Sequence, residues 1–233
     1  MKTTMLTMVA IASIATADTI TVGTTKDNTL YDDSFGLLNS NGAGTWMFCG
    51  SSGSGLRRGL MQFDLSAIPA GSTIDAVTLT LRMDRTIAGP AACSVHPVLQ
   101  DWGEGTSDAS GQEGGGASAT PGDVTWTHTF FPGNFWTTPG GDYTAAASAT
   151  TTVGGNGSYD WTSPAMAADV QGWLDAPATN FGWVLIGDEV TLPSAKRFAT
   201  RENPVASARP ALRIDFTPPA DCAPDLNGDT ILD

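Results

Sequence analysis

The stretch "IDAVTLTLRM", Ile74–Met83, decides the fold, because its apolar residues recur at every second position. Val77, Leu79, Leu81 and Met83 fall on one face and Thr78, Thr80 and Arg82 on the other, the period of a half-buried strand. Immediately upstream, "RRGLMQFDLSAIPAG" reads as a strand from Arg57 to Asp64 with a turn at Pro69–Gly71. The two segments therefore make a strand, turn, strand unit. Further strands are predicted at Thr19–Val22, Thr45–Cys49, Cys93–Leu99, Thr144–Val153, Phe181–Ile186, Lys196–Thr200 and Ala211–Phe216. One segment has helical period instead: "TSPAMAADVQGWLDAP" offers Ser163 as cap, Pro164 at the first helical position, an apolar stripe of Met166, Val170, Trp173 and Leu174, and Pro177 at the exit. Many short strands, Gly-rich turns and one helix predict an all-β fold, a jelly-roll-like antiparallel β-sandwich with one short helix.

Lys2, the apolar run Met5–Ile14 and the small residues Ala15-Thr16-Ala17 have the form of a signal peptide, with cleavage expected before Asp18. The chain is therefore expected to be secreted, extracellular or at a cell surface. No later stretch approaches the roughly 18 to 20 apolar residues of a membrane span. Without Lys2 the formal charge of −13 becomes −14, which repels nucleic acid and anionic polymers at long range. A neutral partner is favoured, and one main domain over residues 18–217 is expected. Export permits a disulfide, and of Cys49, Cys93 and Cys222 the first two, both in strand-like segments, are the expected pair.

"GSSGSG" at Gly50–Gly55 lacks the spacing of a nucleophile elbow, and neither His96 nor His128 has a sequence context that completes a triad. The four glutamates, Glu104, Glu113, Glu189 and Glu202, offer no evident glycosidase pair, so no catalytic residue is assigned. The stretch "GEGTSDASGQEGGGASATPGD" at 103–123 lacks periodicity, and six aromatic residues crowd Trp126–Tyr143 directly after it. Flat aromatic faces beside polar groups stack on sugar rings, which makes Trp136, Tyr143, Trp161 and Trp46 the candidate carbohydrate-binding residues. The loop aromatics also suit, and suit better, a satellite cluster that holds the long insert down. Asp27, Asp32 and Asp33 form a dense acidic group that suits a structural calcium ion at a sheet edge and a solvated turn equally well, and they are left out of the metal assignment.

In order along the chain, "RRGLMQFDLSAIPAGSTIDAVTLTLRM", "VHPVLQDWGEGTS", "VTW", "ADVQGWLDAPATNFGWVLIGDE" and "KRFATRENPVASARPALRIDF" resemble DNRLRE-domain proteins, also classed as carbohydrate-binding module family 96. The resemblance covers nearly all of Thr19–Phe216. It implies a jelly-roll-like sandwich that serves as an ancillary, non-catalytic polysaccharide-binding unit of larger extracellular proteins. Some members bind alginate through basic side chains, a role that here would fall to Arg57, Arg58, Lys196, Arg197 and Arg201. The alternative is a structural or adhesive domain of a surface protein, and a weaker one a small secreted polysaccharide hydrolase or lyase.

After a linker at 218–224, "PDLNGDTILD" places Asp225, Asn227, Asp229 and Asp233 at positions one, three, five and nine of a calcium loop. It resembles the opening of a dockerin-like or thrombospondin-type repeat, which implies calcium in a longer parent chain and a cohesin-like or surface-attachment partner. Thr230 stands where the loop takes glycine, and position twelve lies beyond Asp233. The 225–233 segment alone is therefore expected to hold calcium poorly.

Overall fold

A computed structural model of the chain describes residues 16–33 and 37–219. Most of the signal segment, Cys222 and the four ligand positions Asp225, Asn227, Asp229 and Asp233 lie outside the described residues. The strands are β1 (Asp18–Asp33), β2 (Asn39–Ser40), β3 (Trp46–Ser51), β4 (Gly55–Phe63), β5 (Thr73–Thr86), β6 (Ala91–Pro97), β7 (Ala117–Ser118), β8 (His128–Phe130), β9 (Asn134–Phe135), β10 (Ala149–Val153), β11 (Gly157–Thr162), β12 (Trp183–Ile186), β13 (Lys196–Ala199) and β14 (Ala211–Thr217). One helix, α1 (Pro164–Asp175), precedes β12. All the long pairings are antiparallel, so the expected all-β sandwich with a single short helix is what forms.

In the first sheet, β5 carries β11 on one edge and β14 then β13 on the other, with β1 beyond β14 and β3 beyond β13. The second sheet runs β1, β4, β12, β6, β10. β1 belongs to both: Asp18–Gly23 pair with β14, and after a bulge between Thr24 and Lys26 the strand continues along β4 as far as Asp33. Such a bulge bends a strand and re-aims the side chains that follow it.

The alternation of β5 is realised, with Val77, Leu79, Leu81 and Met83 all at or below 1% exposure in a core closed by the second sheet and α1. Burying each of these side chains stabilises the fold by roughly 1.5 to 3 kcal/mol. Ser163 caps α1 by accepting the Met166 N–H, and Met166, Val170 and Trp173 turn inward. The run "FGWVLIG" is apolar throughout because the second sheet is covered on both faces. Trp183 and Leu185 face the main core, whereas Val184 faces a second core built by the insert. There Leu30, Leu60 and Val184 of the sheet meet Val98, Trp102, Val124, Trp126 and Trp136.

The aperiodic segment 103–143 is thus an ordered cover. Buried Asp123 ties it internally, accepting the Ser107 and Thr120 N–H groups, while buried Glu113 accepts the Trp46 N–H and the Asn41 amide and also takes the Thr45 hydroxyl. Gly103 and Gly105 permit the close packing: a Cβ on Gly103 would stand 1.8 Å from the Gly122 carbonyl oxygen, and Gly105 has φ +72° beside Asp123.

Two strand expectations shift. β10 begins at Ala149 instead of Thr144: Thr144 and Ser148 both bond to β6, at the Pro97 and Val95 carbonyls, but the bend at Ala145–Ala146 between them interrupts the ladder. The second half of β1 and all of β11 were not anticipated, because "TKDNTLYDD" and "GSYDWT" are too polar to read as strands. Their polar residues are buried on specific partners: the Asn28 amide donates to Ser40 and the Glu104 carbonyl, and Thr29 accepts the Phe48 N–H.

The expected Cys49–Cys93 disulfide is not formed. Both are buried thiols with Sγ atoms 3.6 Å apart, and the hydrogen bond to Cys93, with burial, pushes Cys49 well above the usual thiol range. A thiol so protonated attacks slowly. Prolonged oxidation with diamide should nonetheless join the pair, closing a long loop and raising the unfolding free energy by about 3 kcal/mol. Thiol titration of the unfolded chain before and after oxidation, paired with urea melts, reads both effects.

Candidate functional site

The four aromatic residues expected to stack on sugar divide sharply by position. Trp136 is 4% exposed in the second core, with Nε1 donating to the Thr125 carbonyl. Trp161 is fully buried in the main core and donates to the Cys93 carbonyl. Neither offers a ring face to a ligand. Trp46 is half-buried, and the Arg197 guanidinium lies 4.1 Å over its ring. Tyr143 alone of the four opens on a cleft, about 400 Å³ in volume, bounded by Arg58, Leu99, Thr138, Pro139 and Asp142. Arg58 sits 5.4 Å from the Tyr143 ring centre and is held there by Glu189, at 2.7 and 2.9 Å, and by the Gly140 carbonyl. Asp142 is likewise fixed, accepting the Thr137 and Thr138 N–H groups. Leu99, 57% exposed, gives the rim an apolar patch. No family model and no curated protein matches this chain.

A larger groove of about 570 Å³ lies at the end of the sandwich near α1, with Phe63, Ile68 and Trp173 in its lining and Gln62, Asp64 and Asn180 among its polar groups. The Gln62 and Asn180 amides already donate to backbone carbonyls there, which makes the groove a stiff end wall of the main core.

Of the five basic residues that the resemblance implies for an anionic glycan, Arg58 lines the Tyr143 cleft, paired with Glu189, and the other four are committed elsewhere. Arg57 is 2% exposed and donates to the Gly114 carbonyl, with its guanidinium over Tyr31. Lys196 is fully buried, donating to Thr86 and to the carbonyls of Ala88 and Gly89. Arg197 pairs with Asp84 through two nitrogens, and Arg201 with Glu104 in the same way. A cation whose charge is already met by internal partners gains little from a further carboxylate on a ligand.

His96 and Ser94 share a 2.9 Å hydrogen bond, and the other ring nitrogen meets the Thr144 carbonyl at 3.0 Å. That arrangement orients an imidazole, but a carbonyl in the third position supplies no charge to hold an imidazolium. Both His96 nitrogens are thereby used in joining β6 to the 144–148 strap.

A second constellation escaped the reading of the sequence. Asp27 follows the β1 bulge and is fully buried, which excludes the solvated turn that the sequence equally allows for it. Glu104 from the start of the insert and Glu202 from the segment after β13 join it, so that a carboxylate oxygen from each lies within 4.8 Å of the others. Asp27 Oδ2 accepts the Thr24 hydroxyl at 2.7 Å and the Arg201 N–H at 2.9 Å. Glu104 accepts the Asp27 N–H and Arg201 Nε and Nη2, and Glu202 forms an ion pair with Arg201, Oε1 lying 2.9 Å from Nε. Two buried oxygens, Asp27 Oδ1 and Glu202 Oε2, have no hydrogen-bond partner.

Burial pushes the Asp27 carboxyl from 3.8 up to about 7, and burial also raises Glu202. A folded-state value above the unfolded one means the neutral acid is favoured by folding, so its contribution is complete below about pH 4 and is lost as pH rises to about 7. At roughly 1.4 kcal/mol per unit, the loss reaches about 4 kcal/mol at most. Urea melts in a chelating buffer at pH 4.5 and 8 should show wild type losing stability relative to Asp27→Asn across that interval. Parallel pH curves for the two proteins would count against the assignment.

Proposed function

We propose that the chain is a non-catalytic module that binds neutral polysaccharide in the open cleft at Tyr143, as an ancillary unit of an exported protein. The observation that carries this reading is the cleft itself. An aromatic ring of partial exposure stands among polar groups whose orientations are already fixed, so a sugar would meet them without further ordering. The order of motifs resembling the DNRLRE family supports it, and the commitment of Arg57, Lys196, Arg197 and Arg201 to internal partners favours a neutral over a uronic-acid polymer. No helix among the described residues is long and apolar enough to cross a membrane.

Affinity electrophoresis through gels containing neutral glucans, galactans, mannans or alginate tests the proposal. Retardation by at least one neutral polymer, abolished by Tyr143→Ala with the near-ultraviolet circular dichroism kept, is the expected result. Retardation by alginate alone overturns the neutral assignment.

A second reading rests on the burial of Trp136 and Trp161, two of the four candidate platforms, which suits packing. On this reading the module is a structural or adhesive spacer, and exposed Leu99, Phe135, Val190 and Leu192 contact another protein. Failure to bind any polymer would favour it.

A further inference from the structure

We propose that Asp27, Glu104 and Glu202 hold a hard divalent cation, calcium, at the point where β1 passes from one sheet to the other. The site is assembled from three distant parts of the sequence, each fixed by backbone structure: β1 after its bulge, the first turn of the insert, and the segment following β13. Two orphan oxygens carry the argument. Asp27 Oδ1 and Glu202 Oε2 are both removed from solvent and both without a donor, although the two carboxylates lie within hydrogen-bond reach of one another. While both are ionised, two acceptors cannot satisfy each other; a proton on one of them or a metal cation between them must do so.

The local charge points the same way. When ionised, the three carboxylates outnumber the single guanidinium among them, Arg201, by two charges, in a setting where Asp27 is fully buried. Glu104 Oε1 is saturated by the Asp27 N–H and Arg201 Nε, whereas Oε2 takes one bond from Arg201 and retains a free lone pair. The cluster therefore presents an oxygen from each of the three residues to a common centre. An all-oxygen donor set suits calcium or magnesium over zinc, and calcium tolerates the irregular shell that a crossover of loops and strand provides. The cation would tie the insert and the β13–β14 connection to the middle of β1.

The test uses protein stripped with chelator and returned to pH 7.5, followed by calorimetric titration and thermal melts with calcium chloride or magnesium chloride. Wild type is expected to bind one calcium and to melt at higher temperature, with magnesium weaker. Asp27→Asn, whose amide nitrogen in the place of Oδ1 can donate to Glu202 Oε2, should fold without metal and lose calcium affinity at least tenfold. Glu202→Gln should do the same from the other side of the site. A calcium response retained in both variants would place the cation elsewhere and overturn the proposal. So would a wild-type melting temperature that follows pH but ignores both cations, the signature of a proton shared by the two carboxyls. A response to magnesium and not to calcium overturns the choice of ion.

Discussion

Trp183→Ala should lower the unfolding free energy by about 4 kcal/mol or more, the largest loss expected of any single truncation in this protein. The indole is fully buried, its ring centre lies 4.5 Å from that of Trp173 on α1 and 6.1 Å from that of Phe63 on β4, and Nε1 donates to Asp169 at 2.8 Å. Truncation opens a cavity between helix and sheet that neither β12 nor α1 can close, because β12 is paired on both sides. It also takes one of two side-chain donors from Asp169, which keeps the Ser148 hydroxyl. Equilibrium urea unfolding followed by fluorescence reads the effect, and a loss under about 2 kcal/mol would mean that the core around α1 is far softer than its packing implies. Trp183→Phe should recover part of the loss by refilling volume without the hydrogen bond.

Gly103→Ala is expected to cost about 3 kcal/mol or more, through backbone crowding instead of a lost contact. The added carbon would stand 1.8 Å from the Gly122 carbonyl oxygen and 2.8 Å from the Phe130 ring. Gly103 is also bonded on both sides, its N–H to Thr129 and its carbonyl to the Val124 N–H, so it cannot retreat without breaking the insert's central ladder. Gly115→Ala is the control: exposed, with nothing within 4 Å of the added carbon, it should fall within about 0.5 kcal/mol of wild type. Near-ultraviolet circular dichroism should report the damage, since Trp102, Trp126 and Trp136 all lie in the second core. Similar melts for the two alanine variants would show that the insert yields easily and is not the rigid cover described.

How legible each part was in the sequence follows from how local its cause is. β5 and α1 declare themselves because one side of each is apolar at a fixed period, and that period survives whatever the partners are. The second half of β1 does not, since its buried residues are Asp27, Asn28 and Thr29, and a polar residue reads as buried only when its hydrogen-bond partners are known. Those partners come from Ser40, Phe48 and Glu104, and no window on the sequence contains them all. The carboxylate cluster was hidden for the same reason: its members belong to segments that meet only through the crossover of β1 and the connection after β13. The aromatic crowd at 126–143 was visible at once, but composition does not distinguish a tryptophan that faces solvent from one that covers the outer face of a sheet. That distinction depends on Leu30, Leu60 and Val184 lying bare on the second sheet until the insert folds over them.

The pairing of Asp18 with Phe216 places the first and last strands of the sandwich side by side, running in opposite directions. Chain arriving at β1 and chain departing from β14 therefore pass through the same edge, and neighbours fused to either side would hang from one corner like two threads from a single buttonhole. Tension across them would load the β1–β14 ladder at its open end, parting its rungs in succession up to Gly23. Traction would peel that seam first, while the bulge and the longer ladder along β4 beyond it would initially be spared.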